Sequence, residues 1–225
     1  MLNDSRLPAA VLFDMDGTLI DSEPLWLASE HEVMAALGGS WSEADQAFCL
    51  GGPLERVVDY MIERAGSDRP AQDVMAMLLD IMERRLLETP LAWRPGAHAL
   101  LSECLLLGIP TALVSASWAR LIRAVESRID EAVGGSAFAA VVAGDDVENT
   151  KPHPEPYLSA ARTLGHAPDD CLALEDSRTG VTSAVAAGCR VVAIPHLGAI
   201  DIPGASVITS LEGESLASLW ERVRA

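Results

Sequence analysis

Between residues 111 and 194 the sequence alternates between short apolar segments and amphipathic segments, and few folds accommodate such a pattern. It predicts strands over residues 111–114, 138–143, 171–174 and 190–194, separated by helices over 118–129, 155–164 and 179–187. Apolar strands that alternate with helices form a parallel sheet with both faces covered. We therefore expect an α/β protein with a doubly wound, Rossmann-like parallel sheet.

Ahead of this alternation, one strand is separated from the rest by a long helical block. Residues 9–13 predict the first strand, and apolar spacing then predicts helices over 23–37, after Ser42, over 53–66, from Pro70 onward and over 96–107. The pattern indicates a helical cap domain, residues 22–91, inserted into a core domain of residues 1–21 and 92–225. An insertion that leaves the core beside an active site is placed to act as a lid.

Charge and composition exclude several classes of partner. The chain has 225 residues and a net charge of −17, which disfavours nucleic acid and anionic membrane surfaces. No apolar stretch is long enough to span a membrane, and the first residues do not resemble a secretory signal. The four cysteines are widely spaced and predict reduced thiols. We expect a cytoplasmic monomer.

Two aspartates follow the first predicted strand directly. Asp14 and Asp16 lie two residues apart, so on extended backbone their carboxylates point the same way, and Gly17 permits a sharp bend after them. Open α/β sheets bind ligands at the carboxyl ends of their strands. One aspartate can serve as nucleophile and the other as proton donor and acceptor, with a divalent cation relieving their repulsion. A strand that ends in an Asx turn is the alternative.

The later strands also end in polar residues. Ser115 precedes a predicted helix, where a hydroxyl and free amides bind anions, although Ser115 or Ser117 could simply cap that helix. Lys151 is the only lysine in the chain; the alternative is a solvated surface residue. Glu175 and Asp176 end an apolar strand, and two adjacent buried acids are costly unless a cation such as Mg²⁺ satisfies them.

These four sites together resemble the haloacid dehalogenase-like superfamily of aspartyl-nucleophile phosphotransferases. The motifs stand in the order of that family: DMDGT at 14–18, Ser115, Lys151 within KPHPEPY, and LEDS at 174–177. The resemblance covers the whole chain and is greatest to the subgroup with a small helical cap. That subgroup contains β-phosphoglucomutase and many sugar-phosphate phosphatases.

The resemblance implies a role for each acidic residue. Asp14 would attack phosphorus and form an aspartyl-phosphate, and Asp16 would protonate the leaving oxygen and then activate water. Mg²⁺ would be held by Asp14, by the backbone carbonyl of Asp16, by Asp176, and by Glu175 directly or through water. The acids would thus combine a nucleophile, an acid and base, and a metal site.

The remaining motif residues would hold the phosphoryl group. Ser115 and the amide of Ala116 would bind its oxygens, and Lys151 would neutralise charge and orient the nucleophile. Catalysis of this kind consists of positioning and electrostatic stabilisation. The predicted function is a Mg²⁺-dependent phosphatase that acts on a small phosphorylated metabolite such as a sugar or polyol phosphate.

A phosphosugar mutase is the main alternative, and the cap residues argue against it. The mutase of this subgroup has a hinge histidine where this chain has Trp26, and a phosphate-binding arginine where this chain, aligned on Gly51, has Leu54. Arg56 lies two positions on and is a candidate substitute. The loop around Gly51 and Gly52 would select the substrate through its shape. A mutase must retain a bisphosphate, so the loss of these cations favours hydrolysis.

Other activities of the superfamily fit less well. Dehalogenases lack the second aspartate, which is present here as Asp16, and phosphonate hydrolases need a cap lysine, which this chain lacks. A non-catalytic binding module would be expected to have lost Asp14, Ser115 or Lys151. All three are present, so the sequence favours an enzyme.

Overall fold

The structure is a computed structural model that describes residues 7–49, 54–196 and 198–224. It divides into two compact units, one of Met1–Asp21 with Leu91–Ala225 and one of Ser22–Pro90. In chain order the described elements are β1 Ala10–Phe13, α1 Glu23–Ala36, α2 Glu43–Cys49, α3 Leu54–Ala65, α4 Ala71–Glu88, α5 Ala97–Leu107, β2 Thr111–Val114, α6 Ala119–Val133, β3 Ala140–Val142, α7 Glu155–Leu164, β4 Cys171–Glu175, α8 Arg178–Ala186, β5 Arg190–Ala193, β6 Ala205–Val207 and α9 Leu216–Val223.

The first unit is built on a six-stranded sheet in the order β3-β2-β1-β4-β5-β6, and every neighbouring pair is parallel. Strands β1, β2 and β4 are buried along their whole length, and apart from Thr111 and Glu175 all of their residues are apolar. This architecture confirms the predicted α/β class with a doubly wound parallel sheet.

Sheet order brings the candidate residues to one edge. β1 lies between β2 and β4, so the segments that follow these three strands begin next to one another. Those segments carry Asp14, Ser115 and Asp176, while Glu175 is the last residue of β4. Ligands bind at the carboxyl edge in folds of this kind.

The structure differs from the sequence expectation mainly after residue 194, where it adds β6 and α9. The three residues of the edge strand β6 are all partly or fully exposed, so β6 lacks the buried apolar segment that indicates β3. The sequence does contain an indication of helix α9, the N-cap residue Ser215. In the structure its hydroxyl accepts a hydrogen bond from Ser218 N at 3.2 Å. Smaller corrections are that β3 is shorter than residues 138–143 and that α6 continues past residue 129 to Val133.

The second unit consists of α1–α4 around an apolar cluster of its own. Ser42 precedes α2 as expected for an N-cap, and its hydroxyl accepts from Asp45 N at 3.3 Å. The buried Asp45 carboxylate accepts from Tyr60 Oη at 2.7 Å and from Arg64 Nε at 2.9 Å, which lowers the pKa of Asp45. A single buried acid therefore connects α2 to α3. Among all the described helices, none is both long and apolar enough to cross a membrane.

Candidate active site

The acidic loop begins where β1 ends and turns back tightly. Asp14 N donates to Leu174 O of β4 at 3.0 Å, and Gly17 N donates to Ile20 O at 2.8 Å. Gly17 has φ +85°, and a Cβ there would overlap the carboxylate of Asp176. Glycine is therefore required for the turn and for the close approach of Asp176.

Lys151 places its ammonium at the centre of the site. Nζ donates to Asp14 Oδ1 at 2.7 Å, to Glu175 Oε1 at 2.5 Å and to Val114 O at 2.9 Å, so all three of its hydrogens have acceptors. The side chain is 3% exposed, which excludes the solvated surface lysine. Asp14 and Glu175 raise the pKa of Lys151 although burial opposes them, and the group stays charged.

Contacts within the loop before α7 hold the backbone of Lys151. The Glu155 carboxylate accepts from Glu148 N at 2.9 Å and from Asn149 N at 3.0 Å, and Ser183 Oγ of α8 donates to His153 O at 2.6 Å. These bonds tie both sides of Lys151 to helices α7 and α8.

Glu175 is fully buried, and both of its oxygens accept hydrogen bonds. Oε1 accepts from Lys151 and from Tyr157 Oη at 2.7 Å, and Oε2 accepts from Ser177 Oγ at 3.2 Å. A Cβ on Gly180 of α8 would overlap this carboxylate, so the first turn of α8 needs a glycine there. These contacts make Glu175 a partner of the lysine as well as a candidate metal ligand.

Three acids converge as a candidate metal site. Ligand atoms of Asp14, Glu175 and Asp176 all lie within 4.8 Å of one another. Asp14 Oδ2 is buried without a hydrogen-bond partner. An all-oxygen donor set with an unpartnered buried carboxylate oxygen suits a hard cation such as Mg²⁺.

Asp16 takes a different position from the other acids. Its Oδ2 accepts from Ser117 Oγ at 2.8 Å and from Ser115 Oγ at 3.4 Å. Neither serine caps α6: that helix starts at Ala119, whose amide donates to Asp145 Oδ1 at 2.7 Å. The helix-cap alternative for Ser115 is therefore wrong, and Ser115 lies beside Asp16. Ala116 follows it and is exposed.

The predicted cap residues belong to the second unit. Trp26 lies on α1 and Leu54 begins α3, and both pack against the apolar cluster of that unit. Arg56 is exposed, and it donates to Phe48 O with its guanidinium 5.2 Å from the Phe48 ring centroid. Gly51 and Gly52 lie outside the described residues.

The structure adds two residues that the sequence predictions did not include. Ser117 contacts Asp16, and Tyr157 contacts Glu175. Ser117 stands two residues after Ser115, on the same loop. Tyr157 is the last residue of the KPHPEPY segment, where an aromatic residue on a buried helix face is ordinarily part of the core. Only the contact of its hydroxyl with Glu175 distinguishes Tyr157 from an ordinary core residue.

Metal-free protein is expected to lose stability as the pH rises. Burial, with Asp14 and Glu175 nearby, raises the pKa of Asp176 to about 9, and burial with Glu175 raises that of Asp14 to about 7. Both values exceed the ordinary 3.8, so the folded state binds protons that the unfolded state has released. This contribution to stability is present below about pH 4 and is lost as the pH rises through 7 to 9.

Mg²⁺ is expected to replace those protons and to restore the lost stability. Thermal melts with and without MgCl₂ at pH 6 and pH 9 are the measurement, and the Mg²⁺-induced rise in Tm is expected to be larger at pH 9. Asp176→Asn removes one acid of the candidate metal site and is expected to abolish most of that difference. An equal Mg²⁺ effect in Asp176→Asn would place the metal elsewhere.

Comparison with known proteins gives consistent matches. A sequence model of the family described as haloacid dehalogenase-like hydrolase matches residues 11–194. Hexitol phosphatase B of Escherichia coli K12 is 34% identical over 195 residues, which cover 86% of this chain and 86% of that protein. The family match spans the acidic loop, Ser115, Lys151 and the end of β4.

Solved structures are similar over nearly the whole chain. CbbY of Rhodobacter sphaeroides, solved in complex with phosphate, is 30% identical with a TM-score of 0.81, and the match covers 95% of this chain and 99% of that one. A Thermotoga maritima protein assigned as a β-phosphoglucomutase is 26% identical with a TM-score of 0.76 and the same coverage. CbbY and this mutase-like protein thus share the fold of this chain.

Proposed function

The chain belongs to the haloacid dehalogenase-like hydrolases, as a phosphoric monoester hydrolase, and we propose that it is a Mg²⁺-dependent phosphatase of a small sugar or polyol monophosphate. The observation that carries this proposal is the buried ion pair between Lys151 and Asp14. The ammonium binds Oδ1 and leaves Oδ2 buried without a partner, beside two further acids. A carboxylate held in this way is oriented as a nucleophile.

The proposed hydrolysis divides the chemical roles between the two aspartates. A carboxylate oxygen of Asp14 attacks phosphorus, the bond to the leaving oxygen breaks, and Asp16 gives that oxygen a proton. Asp16 then takes a proton from water, which attacks the aspartyl-phosphate; the bond to Asp14 breaks and inorganic phosphate leaves. Ser117, at 2.8 Å, holds Asp16 in the site. The two steps restore both carboxyl groups.

Charge stabilisation would come from three sources. Ser115 and the amide of Ala116 bind phosphoryl oxygens, and Lys151 offsets negative charge. Asp14, Asp176, the Asp16 carbonyl and Glu175 are the groups that would hold Mg²⁺, which supplies electrostatic stabilisation of the charged phosphoryl group when bound. With one lysine among four acids, the site needs this extra positive charge before it can accept a phosphate dianion.

The charges of the helical unit favour hydrolysis over mutase activity. Arg64 pairs with Asp45, and Arg84 and Arg85 both pair with Glu32. Arg56 is engaged with Phe48. Four of the five arginines of this unit thus have partners within it, so a second phosphate would have to compete for them, while the fifth, Arg69, is exposed. A monophosphate needs no second phosphate-binding cation. The similarity to hexitol phosphatase B supports a polyol phosphate as the substrate.

One incubation distinguishes hydrolysis from mutase activity. β-Glucose 1-phosphate with Mg²⁺ and a trace of the 1,6-bisphosphate is followed for inorganic phosphate and for glucose 6-phosphate. We expect phosphate release with negligible isomerisation, because four of the five arginines in the described part of the helical unit already have partners there. Isomerisation faster than phosphate release would contradict the prediction and would direct attention to Arg56.

The substrate class is tested in parallel on a panel of phosphorylated metabolites. Hexitol and sugar monophosphates are expected to be better substrates than compounds with a second phosphate or carboxylate. p-Nitrophenyl phosphate with and without Mg²⁺ reports whether the chain is a phosphatase at all. Absence of Mg²⁺-dependent turnover on every compound would contradict the proposed function.

A further inference from the structure

Tyr157 contacts both members of the central ion pair, although the steps above assign it no role. It is fully buried on α7, and its hydroxyl donates to Glu175 Oε1 at 2.7 Å. The same oxygen accepts from Lys151 Nζ at 2.5 Å, and Nζ lies 5.1 Å from the centroid of the Tyr157 ring. One side chain therefore touches the carboxylate through its hydroxyl and faces the ammonium with its ring.

Packing alone does not account for the hydroxyl. The buried face of α7 presents Tyr157 with the small residues Ala160 and Ala161 against the sheet, where a phenylalanine would fill the same space. A buried hydroxyl costs free energy unless it is hydrogen-bonded. Burial and Glu175 raise the pKa of Tyr157 well above its ordinary value, so the hydroxyl remains a donor at every working pH.

Glu175 depends on this donor because its carboxylate lies between Lys151 and the candidate metal site, and either could attract it. Ser177 occupies Oε2, and Tyr157 and Lys151 share Oε1. The ligand atoms of Asp14 and Asp176 lie within 4.8 Å, so Glu175 also borders the candidate metal site. With the tyrosine hydroxyl removed, Oε1 would have an unfilled acceptor position and could turn from the lysine toward a bound cation.

Resting on the function proposed above, we propose that Tyr157 is a positioning residue whose hydroxyl keeps Glu175 on Lys151. Lys151 Nζ is then held within hydrogen-bond distance of Asp14 Oδ1 while the phosphoryl group is transferred. Tyr157 does not touch the substrate. Its contribution is expected in the chemical step and not in substrate binding, which gives it a kinetic signature separate from that of a core residue.

The chain supplies a matched control, since it has only two tyrosines. Tyr60 donates to the buried carboxylate of Asp45 at the same 2.7 Å, within the other unit. We expect Tyr157→Phe to lower kcat at least about tenfold with KM changed less than about twofold, the factor expected for losing a hydrogen bond to a charged group. Tyr60→Phe loses the same type of bond and is expected to leave kcat within about twofold.

A second readout is independent of turnover. Because Lys151 is the only lysine, acetylation by acetic anhydride followed by peptide mass spectrometry reports on Nζ alone. We expect Lys151 to be acetylated several-fold faster in Tyr157→Phe than in the parent protein, with Tyr60→Phe unchanged. Urea melts establish that each variant is folded under the labelling conditions.

The outcomes separate the inference from the proposed function. If folded Tyr157→Phe keeps the parental kcat and labelling rate, the positioning role is overturned. If the parent releases no phosphate, the proposed function fails, and the labelling rates still decide on Tyr157. Should Tyr157→Phe not fold, p-aminophenylalanine incorporated at position 157, which keeps the ring and an N–H donor at the position of Oη, is compared by the same two measurements, with slow labelling and near-parental kcat expected.

Discussion

Asp14→Asn is expected to lower phosphate release by about four powers of ten or more while the protein remains folded. The substitution preserves the size and shape of the side chain, and the amide oxygen can still accept from Lys151 at the position of Oδ1. It removes the negative charge that attacks phosphorus, and an amide oxygen is a very weak nucleophile.

Steady-state kinetics on the best monophosphate is the measurement, with Asp201→Asn as the matched control. Asp201 is an exposed aspartate of the same unit, and its substitution is expected to leave kcat unchanged. BeF₃⁻ with Mg²⁺ mimics a phosphorylated aspartate and is expected to raise the Tm of the parent but not that of Asp14→Asn. Substantial Mg²⁺-dependent activity in folded Asp14→Asn would rule out Asp14 as the nucleophile.

Lys151→Arg is expected to be nearly as damaging as Lys151→Ala, with each lowering kcat/KM by about 10³-fold. The three acceptors around Nζ are arranged about one nitrogen in a pocket where the side chain is 3% exposed. A planar guanidinium is larger and directs its hydrogens as a fork, so it cannot meet all three. In Lys151→Ala the buried Asp14 and Glu175 also lose their counter-charge, which is expected to cost about 3–5 kcal/mol of stability.

Labelling provides an independent check on the same residue. Acetylation of Lys151 is expected to inactivate the enzyme, and phosphate with Mg²⁺ is expected to protect it. Arg162→Lys introduces a second, exposed lysine on α7, which is expected to be acetylated rapidly without loss of activity. A fully active Lys151→Arg enzyme would show that the compact ammonium is not required.

The sequence alone determined the fold class and predicted that the candidate site residues would meet at one edge of the sheet. Strand and helix periodicities are local properties, so the apolar segments from residue 111 onward were enough to predict a parallel sheet covered on both faces. Polar residues at strand ends then indicated one ligand-binding edge, because parallel strands end on the same side. Such patterns did not predict β6, because the residues of this short edge strand are partly or fully exposed and form no buried apolar segment.

Only the tertiary structure decided how the polar side chains are paired. Lys151 and Asp14 are 137 positions apart, and their contact depends on the strand order that places β1 between β2 and β4. A sequence contains no such distances, so it could not show that Tyr157 and Lys151 share one oxygen of Glu175. Hydrogen bonds between distant side chains depend on angstrom-scale geometry, whereas periodicity reports only which face of an element is buried.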